Sequence, residues 1–315
     1  MKIVILDHAT LTTGDIAPIK TLASSLTCFE HTSANDVLAR CQQADVVITN
    51  KVVLTKEILT QLPNLKLICI AATGTNNVDL EAAKIGGIAV CNVAGYSTAS
   101  VVQHSFSLLF NLLGNTHRYI QDCQQGLWQQ SQHFCLLDHP IDEVAGKTIA
   151  IIGYGELGKA MSLVANAFGM KVLVSERKNQ TPRNGRVTFT DALTQADIIS
   201  LHCPLTDETK NLIDEAEFAL MKPTAVLLNT ARGGIVNEQA LVNALTQHQI
   251  AGAAVDVLSQ EPAQQDNPLI SYTKANLLLT PHIAWASQQS VSRLLAQIAL
   301  NINAFSQGEN RNRVA

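Results

Sequence analysis

No Cys-x-x-Cys pair occurs among the seven cysteines of this chain (Cys28, Cys41, Cys69, Cys91, Cys123, Cys135 and Cys203), and seven is an odd number. In 315 residues that pattern argues against a disulfide framework and fits reduced thiols in a cytoplasmic protein. Charge is also scarce. Asp, Glu, Lys and Arg make up 15% of the residues, the net charge is -4, and no basic cluster stands out. The electrostatic footprint of a nucleic-acid-binding face is therefore missing. The first apolar run, Ile3-Val4-Ile5-Leu6, stops at Asp7. Four residues are too few for the core of a signal peptide and far too few to cross a membrane, so no membrane partner is expected. Short-period repeats and low-complexity tracts are absent, which excludes a solenoid. No His or Cys spacing marks a metal site, and His133 and His139 show no further acidic or thiolate company. What the chain does have is 47% hydrophobic residues, enough for two ordinary cores, and a length that fits two domains of about 100 to 200 residues each.

Short β-rich apolar runs alternate with helical patterns from the start. Lys2–Leu6, Leu26–Phe29, Asp45–Thr49, Leu65–Ile70 and Ile88–Asn92 read as strands. Between them, Ser33 is placed to cap a helix running to about Cys41, and Leu80–Ile85 forms a short helix ended by Gly86-Gly87. A second run of the same kind predicts strands at Lys147–Ile152, Lys171–Ser175, Ile198–His202, Ala225–Asn229, Gly252–Val257 and Leu277–Leu279. Helices such as Glu156–Phe168 and Asn237–Thr246 fall between them. This alternation implies parallel strands with crossover helices, and six of them match a complete dinucleotide-binding domain. Ala99–Leu113 is an apolar helix ahead of the second run. Ser287–Phe305 places Val291, Leu294, Leu295, Ile298 and Ile302 on one helical face behind Ser287 as N-cap, a helix able to return to the first domain. The polar tail Gly308–Ala315 is expected to fray.

One turn carries a ligand signature. Gly153-Tyr154-Gly155-Glu156-Leu157-Gly158 follows the strand Thr148–Ile152 directly and opens an amphipathic helix. In that context Gly153 permits the tight turn, Gly155 lets backbone N–H groups approach a pyrophosphate, and Gly158 allows close helix–strand packing. The helix N-terminus favours the anion. The next strand ends in Glu176, about 20 residues on, where an acid holds the ribose hydroxyls of NAD and repels a 2′-phosphate. Arg177 and Lys178 beside it leave NADP use open.

Three later strand ends bear on chemistry. Asn229-Thr230-Ala231-Arg232-Gly233-Gly234 offers a guanidinium, Asp256-Val257-Leu258-Ser259-Gln260-Glu261-Pro262 offers acids, and Thr280-Pro281-His282-Ile283-Ala284-Trp285 offers a histidine. Ligands of open α/β sheets bind outside the carboxyl ends of strands. A His–carboxylate pair and an Arg beside a nicotinamide would supply the proton and the polarising charge that carbonyl reduction needs. Singly, each has a plain alternative: a salt-bridged Arg232, a loop carboxylate at Glu261, a strand-end histidine at His282.

With these motifs the chain resembles the D-isomer-specific 2-hydroxyacid dehydrogenases. The resemblance runs from about Leu65 to the final helix and is weaker in the first 60 residues. It is carried by Ala72-Thr73-Gly74-Thr75-Asn76-Asn77-Val78-Asp79, the glycine turn, His202-Cys203-Pro204-Leu205-Thr206, Asn229–Gly233, Asp256-Val257, Glu261-Pro262 and Pro281-His282. Asn92–Thr98, Val101-Val102-Gln103-His104, Gly126-Leu127-Trp128, His133-Phe134-Cys135 and His282–Trp285 look like its glycerate dehydrogenase (hydroxypyruvate reductase) branch. Two departures are Ala94, where that branch usually carries proline, and Glu176, where Asp is more usual.

The resemblance implies an α/β chain of two doubly wound parallel-sheet domains, a Rossmann NAD-binding domain (99–285) inserted in a flavodoxin-like substrate domain (1–98 plus 286–315). It implies His282 as acid and base, Glu261 as its partner, and Arg232 on the keto acid. Backbone N–H groups of Thr73, Gly74 and Thr75 would grip the substrate carboxylate, and Trp285 would wall the substrate. Gly153, Gly155, Glu156, Leu157, Gly158, Glu176, Thr206, Thr230, Ala231 and Asp256 would contact NAD. A homodimer reducing a small 2-keto acid, hydroxypyruvate first and glyoxylate next, is the expected assembly and activity. His104 is expected to be a core residue, Asn76-Asn77 a polar turn, and Trp128 a packing residue of the dimer. Formate oxidation is disfavoured by Glu261, since that reaction usually pairs its histidine with Gln. The short stretch after His282 argues against the regulatory domain common in phosphoglycerate dehydrogenases. A nucleotide-sensing co-repressor on the same fold is the alternative, because such proteins keep all three strand-end residues.

Overall fold

Parallel strands covered on both faces need apolar side chains on both sides, and the inner strands here have them. In the computed structural model, which describes residues 1–315, β3 (Val46–Thr49) and β4 (Leu67–Ile70) are buried at every position. They are flanked by β1 (Lys2–Ile5), β2 (Ser25–Cys28) and β5 (Ala89–Cys91) in a five-stranded parallel sheet of order β2-β1-β3-β4-β5. That is the flavodoxin-like order. The edge strand β2 alternates between exposed and half-buried residues.

The chain divides into two compact units, Met1–Ser97 with Ala286–Ala315, and Thr98–Trp285. In the first, the helix Gln288–Ser306 starts at Ser287, whose side chain accepts from the Ser290 N–H. It buries Val291, Leu294, Leu295, Ile298 and Ile302, the face read from the sequence. Gly14 lies so close that a Cβ there would come within 2.6 Å of the Leu295 side chain.

Two expectations for this unit are corrected. The tail does not fray: Val314 N–H donates to Val90 O and Val90 N–H donates to Ala315 O, while Cys91 and Arg313 form an antiparallel bridge. The unpaired edge of β5 supplies backbone partners that a polar sequence does not reveal. The second helix starts at Val37, not next to Ser33. Ser33 instead makes a turn, its hydroxyl donating to Asp36 and its carbonyl accepting from the Asp36 N–H. Such short polar side chains compete with helical hydrogen bonds.

The second unit holds β6 (Thr148–Ile152), β7 (Lys171–Val174), β8 (Ile198–Leu201), β9 (Val226–Asn229), β10 (Gly252–Val255) and β11 (Leu277–Leu279) in a parallel sheet of order β11-β10-β9-β8-β6-β7. Beyond β7 a single parallel bridge, Ser175 to Val187, stands in the place of one more strand. Counting it restores the 3-2-1-4-5-6 order of dinucleotide-binding sheets, with β11 as an additional strand. The helix Thr98–Gly114 packs on Glu156–Ala167, and Phe106, Phe110 and Phe168 meet with ring centroids 5.0 to 5.8 Å apart. No helix is long and apolar enough to cross a membrane. All seven cysteines are free thiols, and burial pushes Cys41 up to about 12 and Cys203 up to about 11.

Candidate active site

Every strand of the second sheet runs the same way, so its loops leave from one edge. There β6 runs into the glycine turn and β7 into Glu176. Next to them β8 runs into His202–Thr206, β9 into Thr230–Arg232, β10 into Asp256–Glu261, and β11 into His282.

The glycine turn has the geometry a pyrophosphate requires. Gly153 adopts φ 94°, and a Cβ on it would collide with the His202–Cys203 backbone at 2.5 Å. A Cβ on Gly158 would lie 2.2 Å from Gly153 O, so the helix starting at Glu156 packs against the turn as only glycine allows. At Gly155 a Cβ would meet nothing within 4 Å, which leaves the helix N-terminus open to a ligand. These residues fit a bound dinucleotide. Glu156 accepts from the Thr98 hydroxyl at 2.8 Å, while Leu157 and the exposed Thr206 follow the turn and β8 respectively. Thr230 and Ala231 are buried, and the Thr230 hydroxyl meets Ser105 at 2.8 Å.

Glu176 is less simple. It is buried, and its carboxylate is forked by Arg183, with Nε at 2.7 Å from Oε2 and Nη2 at 2.6 Å from Oε1. The Arg177 and Arg183 N–H groups also donate to it. The Arg183 guanidinium first, and these N–H groups after it, hold the carboxyl well below the usual carboxylate range. Lys178 is occupied by Glu217 at 2.8 Å.

His282 Nδ1 lies 2.6 Å from Glu261 Oε2, and Glu261 Oε1 accepts from the Leu258 N–H. The histidine backbone is left-handed, φ 54°, unusual for a residue with a Cβ. Asp256 accounts for its hold. Its buried carboxylate accepts the N–H groups of Ile283 (3.0 Å) and Ala284 (2.9 Å) and the Thr280 hydroxyl (2.6 Å). His104 completes the group, 3.1 Å from Thr280 Oγ1 and 3.5 Å from Asp256 Oδ1. The expected core histidine thus braces the loop that carries His282. These hydrogen bonds outweigh burial and keep the Asp256 carboxyl ionised below its ordinary range. Trp285 Nε1–H donates to His282 O.

Arg232 forms no ion pair; its guanidinium donates only to Ala231 O at 2.6 Å. A half-buried cation without a counter-charge suits an anionic ligand. Gly233 lets this turn meet the next, for a Cβ there would sit 1.8 Å from Leu258 O. Glu238 fixes the neighbouring loop by accepting from Ser259 N, Ser259 Oγ and Asn267 Nδ2.

In the first unit the Thr73-Gly74-Thr75 loop follows β4. The Thr73 hydroxyl donates to Val93 O, and its carbonyl accepts from Asn92. Asn77 is more than a polar turn: it is buried and donates to Val52 O. His139 is also corrected, since its Nε2 pairs with Asp122 at 2.8 Å. No group of three or more His, Cys, Asp or Glu is placed to hold a metal ion. Sequence reading missed Asp256 as a loop anchor, Glu238, His104 and Arg183. Only the periodic strand ends signalled any of them.

The model of the D-isomer specific 2-hydroxyacid dehydrogenase NAD binding domain matches residues 106–284. A protein of Haemophilus influenzae assigned to the 2-hydroxyacid dehydrogenases is 46% identical over 310 residues, 98% of each chain. A glycerate dehydrogenase of Methylorubrum extorquens is 43% identical over 279 residues, covering 89% of this chain and 88% of its own. Among solved structures, an acyclic imino acid reductase in complex with NADPH and D-Arg superposes with a TM-score of 0.86 at 29% identity, covering 100% of both chains. The chain belongs to the D-isomer-specific 2-hydroxyacid dehydrogenases, enzymes that use NAD(H) to interconvert 2-keto and 2-hydroxy acids.

Proposed function

We propose that the chain reduces hydroxypyruvate to D-glycerate with NADH, with His282 as acid and base. The observation that carries this is the 2.6 Å contact between His282 Nδ1 and Glu261 Oε2 at the strand edge that also bears Arg232. The relatives named glycerate dehydrogenase and hydroxypyruvate reductase support the substrate, and relatives named glyoxylate reductase keep glyoxylate second.

A nicotinamide held at the glycine turn would supply the hydride that carbonyl reduction needs. Glu261 holds Nδ1, which leaves Nε2 to give its proton to the forming hydroxyl oxygen and to take it back in oxidation. Arg232, free of a counter-ion, binds the acid and polarises the carbonyl. Asp256, Thr280 and His104 position the histidine. The Thr73-Gly74-Thr75 N–H groups bind the substrate carboxylate, Trp285 borders the substrate, and the first unit is the substrate domain. Thr206, Thr230 and Ala231 serve the cofactor.

The assembly proposed is a homodimer. The helix Thr116–Gln124 buries no residue, and Ile120, Leu127, Trp128, Phe134, Leu137 and Ile141 expose apolar side chains along one stretch. A second copy is the occupant that would cover so much apolar surface.

The deciding experiment is a steady-state panel of hydroxypyruvate, glyoxylate, pyruvate and 3-phosphohydroxypyruvate with NADH. Hydroxypyruvate is expected to give the highest kcat/KM, with reduction fading at high pH and oxidation at low pH. Nucleotide binding with no turnover of any 2-keto acid overturns the proposal in favour of an NAD(H)-sensing protein.

A further inference from the structure

Glu176 stands where a carboxylate accepts the ribose hydroxyls of NAD, yet its acceptor sites are spent inside the protein. A carboxylate offers about four lone-pair positions. Four donors within 3.3 Å take them: Arg177 N, Arg183 N, Arg183 Nε and Arg183 Nη2, with Arg186 Nη1 at 3.5 Å behind them. The charge that repels a 2′-phosphate is thereby neutralised. The same fork leaves cationic donors over. A guanidinium carries five N–H groups, of which Arg183 spends two on Glu176, and its side chain is 62% exposed. The neighbouring Arg177 is exposed and its guanidinium pairs with no carboxylate. Lys178, tied to Glu217, is not available.

We propose that this corner of the nucleotide site takes a 2′-phosphate, so that NADPH serves beside NADH, and that Arg183 is the residue setting the ratio. The inference rests on the nucleotide-binding reading of the glycine turn. Arg183 acts twice: it withdraws Glu176 from the ribose diol, and it offers a planar fork suited to phosphate oxygens. Sequence inspection points to Arg177 and Lys178 as the adjacent cations. The structure moves the second role to Arg183, seven residues beyond Glu176 on the far side of a polar loop.

The test uses binding and needs no keto acid. Calorimetric titration of the wild-type chain with adenosine 2′,5′-bisphosphate and with 5′-AMP isolates the 2′-phosphate. The bisphosphate is expected to bind at least tenfold tighter, with the advantage shrinking as salt is raised. In Arg183→Gln the NADPH Kd should rise at least tenfold while the NADH Kd holds or falls, because Glu176 is released to the diol. NADH and NADPH weakening together would make Arg183 a structural tether only, and overturn the proposal. So would equal affinity for the two fragments in the wild type, which decides the matter even if the variant does not fold. Tight NADH binding with rejection of the 2′-phosphate sinks this proposal alone. Failure to bind NADH at all sinks the nucleotide reading with it.

Discussion

Glu261 occupies one ring nitrogen of His282, and that division of labour makes the two residues separable by kinetics. Replacing His282 with Asn removes the proton donor, and kcat for hydroxypyruvate reduction should fall roughly 10²- to 10⁴-fold with KM little changed. Glu261→Gln keeps a hydrogen-bond acceptor but loses the charge, so a smaller loss in kcat is expected; a loss as large as that of His282→Asn would show that Glu261 does more than hold the ring. Both residues lie in the short segments that follow β10 and β11, and that placement is what singles them out in the sequence. Their supports were not legible there. Asp256 reaches Ile283 and Ala284 across 27 and 28 residues, and Arg183 reaches Glu176 through a loop with no periodicity to read. Distance along the chain hides a hydrogen bond that folding makes short.

Gly233 and the chain's end test the fold at the level of its parts. The turn after β9 passes so close to Leu258 that Gly233→Ala must push the backbone carrying Arg232 away from the loop carrying Glu261. A shift of about 1 Å at such a site costs on the order of 100-fold in rate. The variant should therefore lose activity at least that much; unchanged kcat would refute the close approach. Removing residues 309–315 strips β5 of the hydrogen bonds at Val90. At about 1 kcal/mol for each, the truncation should cost about 2 to 3 kcal/mol in urea unfolding. No measurable loss would mean that the tail is bound only loosely. Strand and helix positions in both sheets could be read from the apolar runs, and the face of the final helix residue by residue. The tail could not, because its partners are backbone groups of β5 and its own side chains are polar.

For the whole molecule, acid is the informative stress. His202, at the end of β8, has a ring whose Nδ1 is shut from water without a partner, and burial pushes its pKa down to about 4. In the unfolded chain the ring takes its proton near 6.5, so between pH 6.5 and 4 the unfolded state binds more protons. Stability then falls as pH falls through that window, by about 3 kcal/mol at most from this group. Below it, Asp256 and the other carboxyls held in their charged form add further losses. Urea unfolding at pH 7 and pH 4.5 should show the decline, and His202→Asn should flatten it; an equal decline in both would assign it elsewhere. The two units also differ in how the chain builds them. Thr98–Trp285 is one uninterrupted stretch, whereas the five-stranded sheet needs the helix Gln288–Ser306 to complete its core. A ribosome adding about 5 to 20 residues per second delivers that helix roughly 10 to 40 s after β5. The nucleotide-binding unit is thus finished while its host still shows a bare apolar flank. That interval is when a nascent chain of this enzyme has most need of a chaperone.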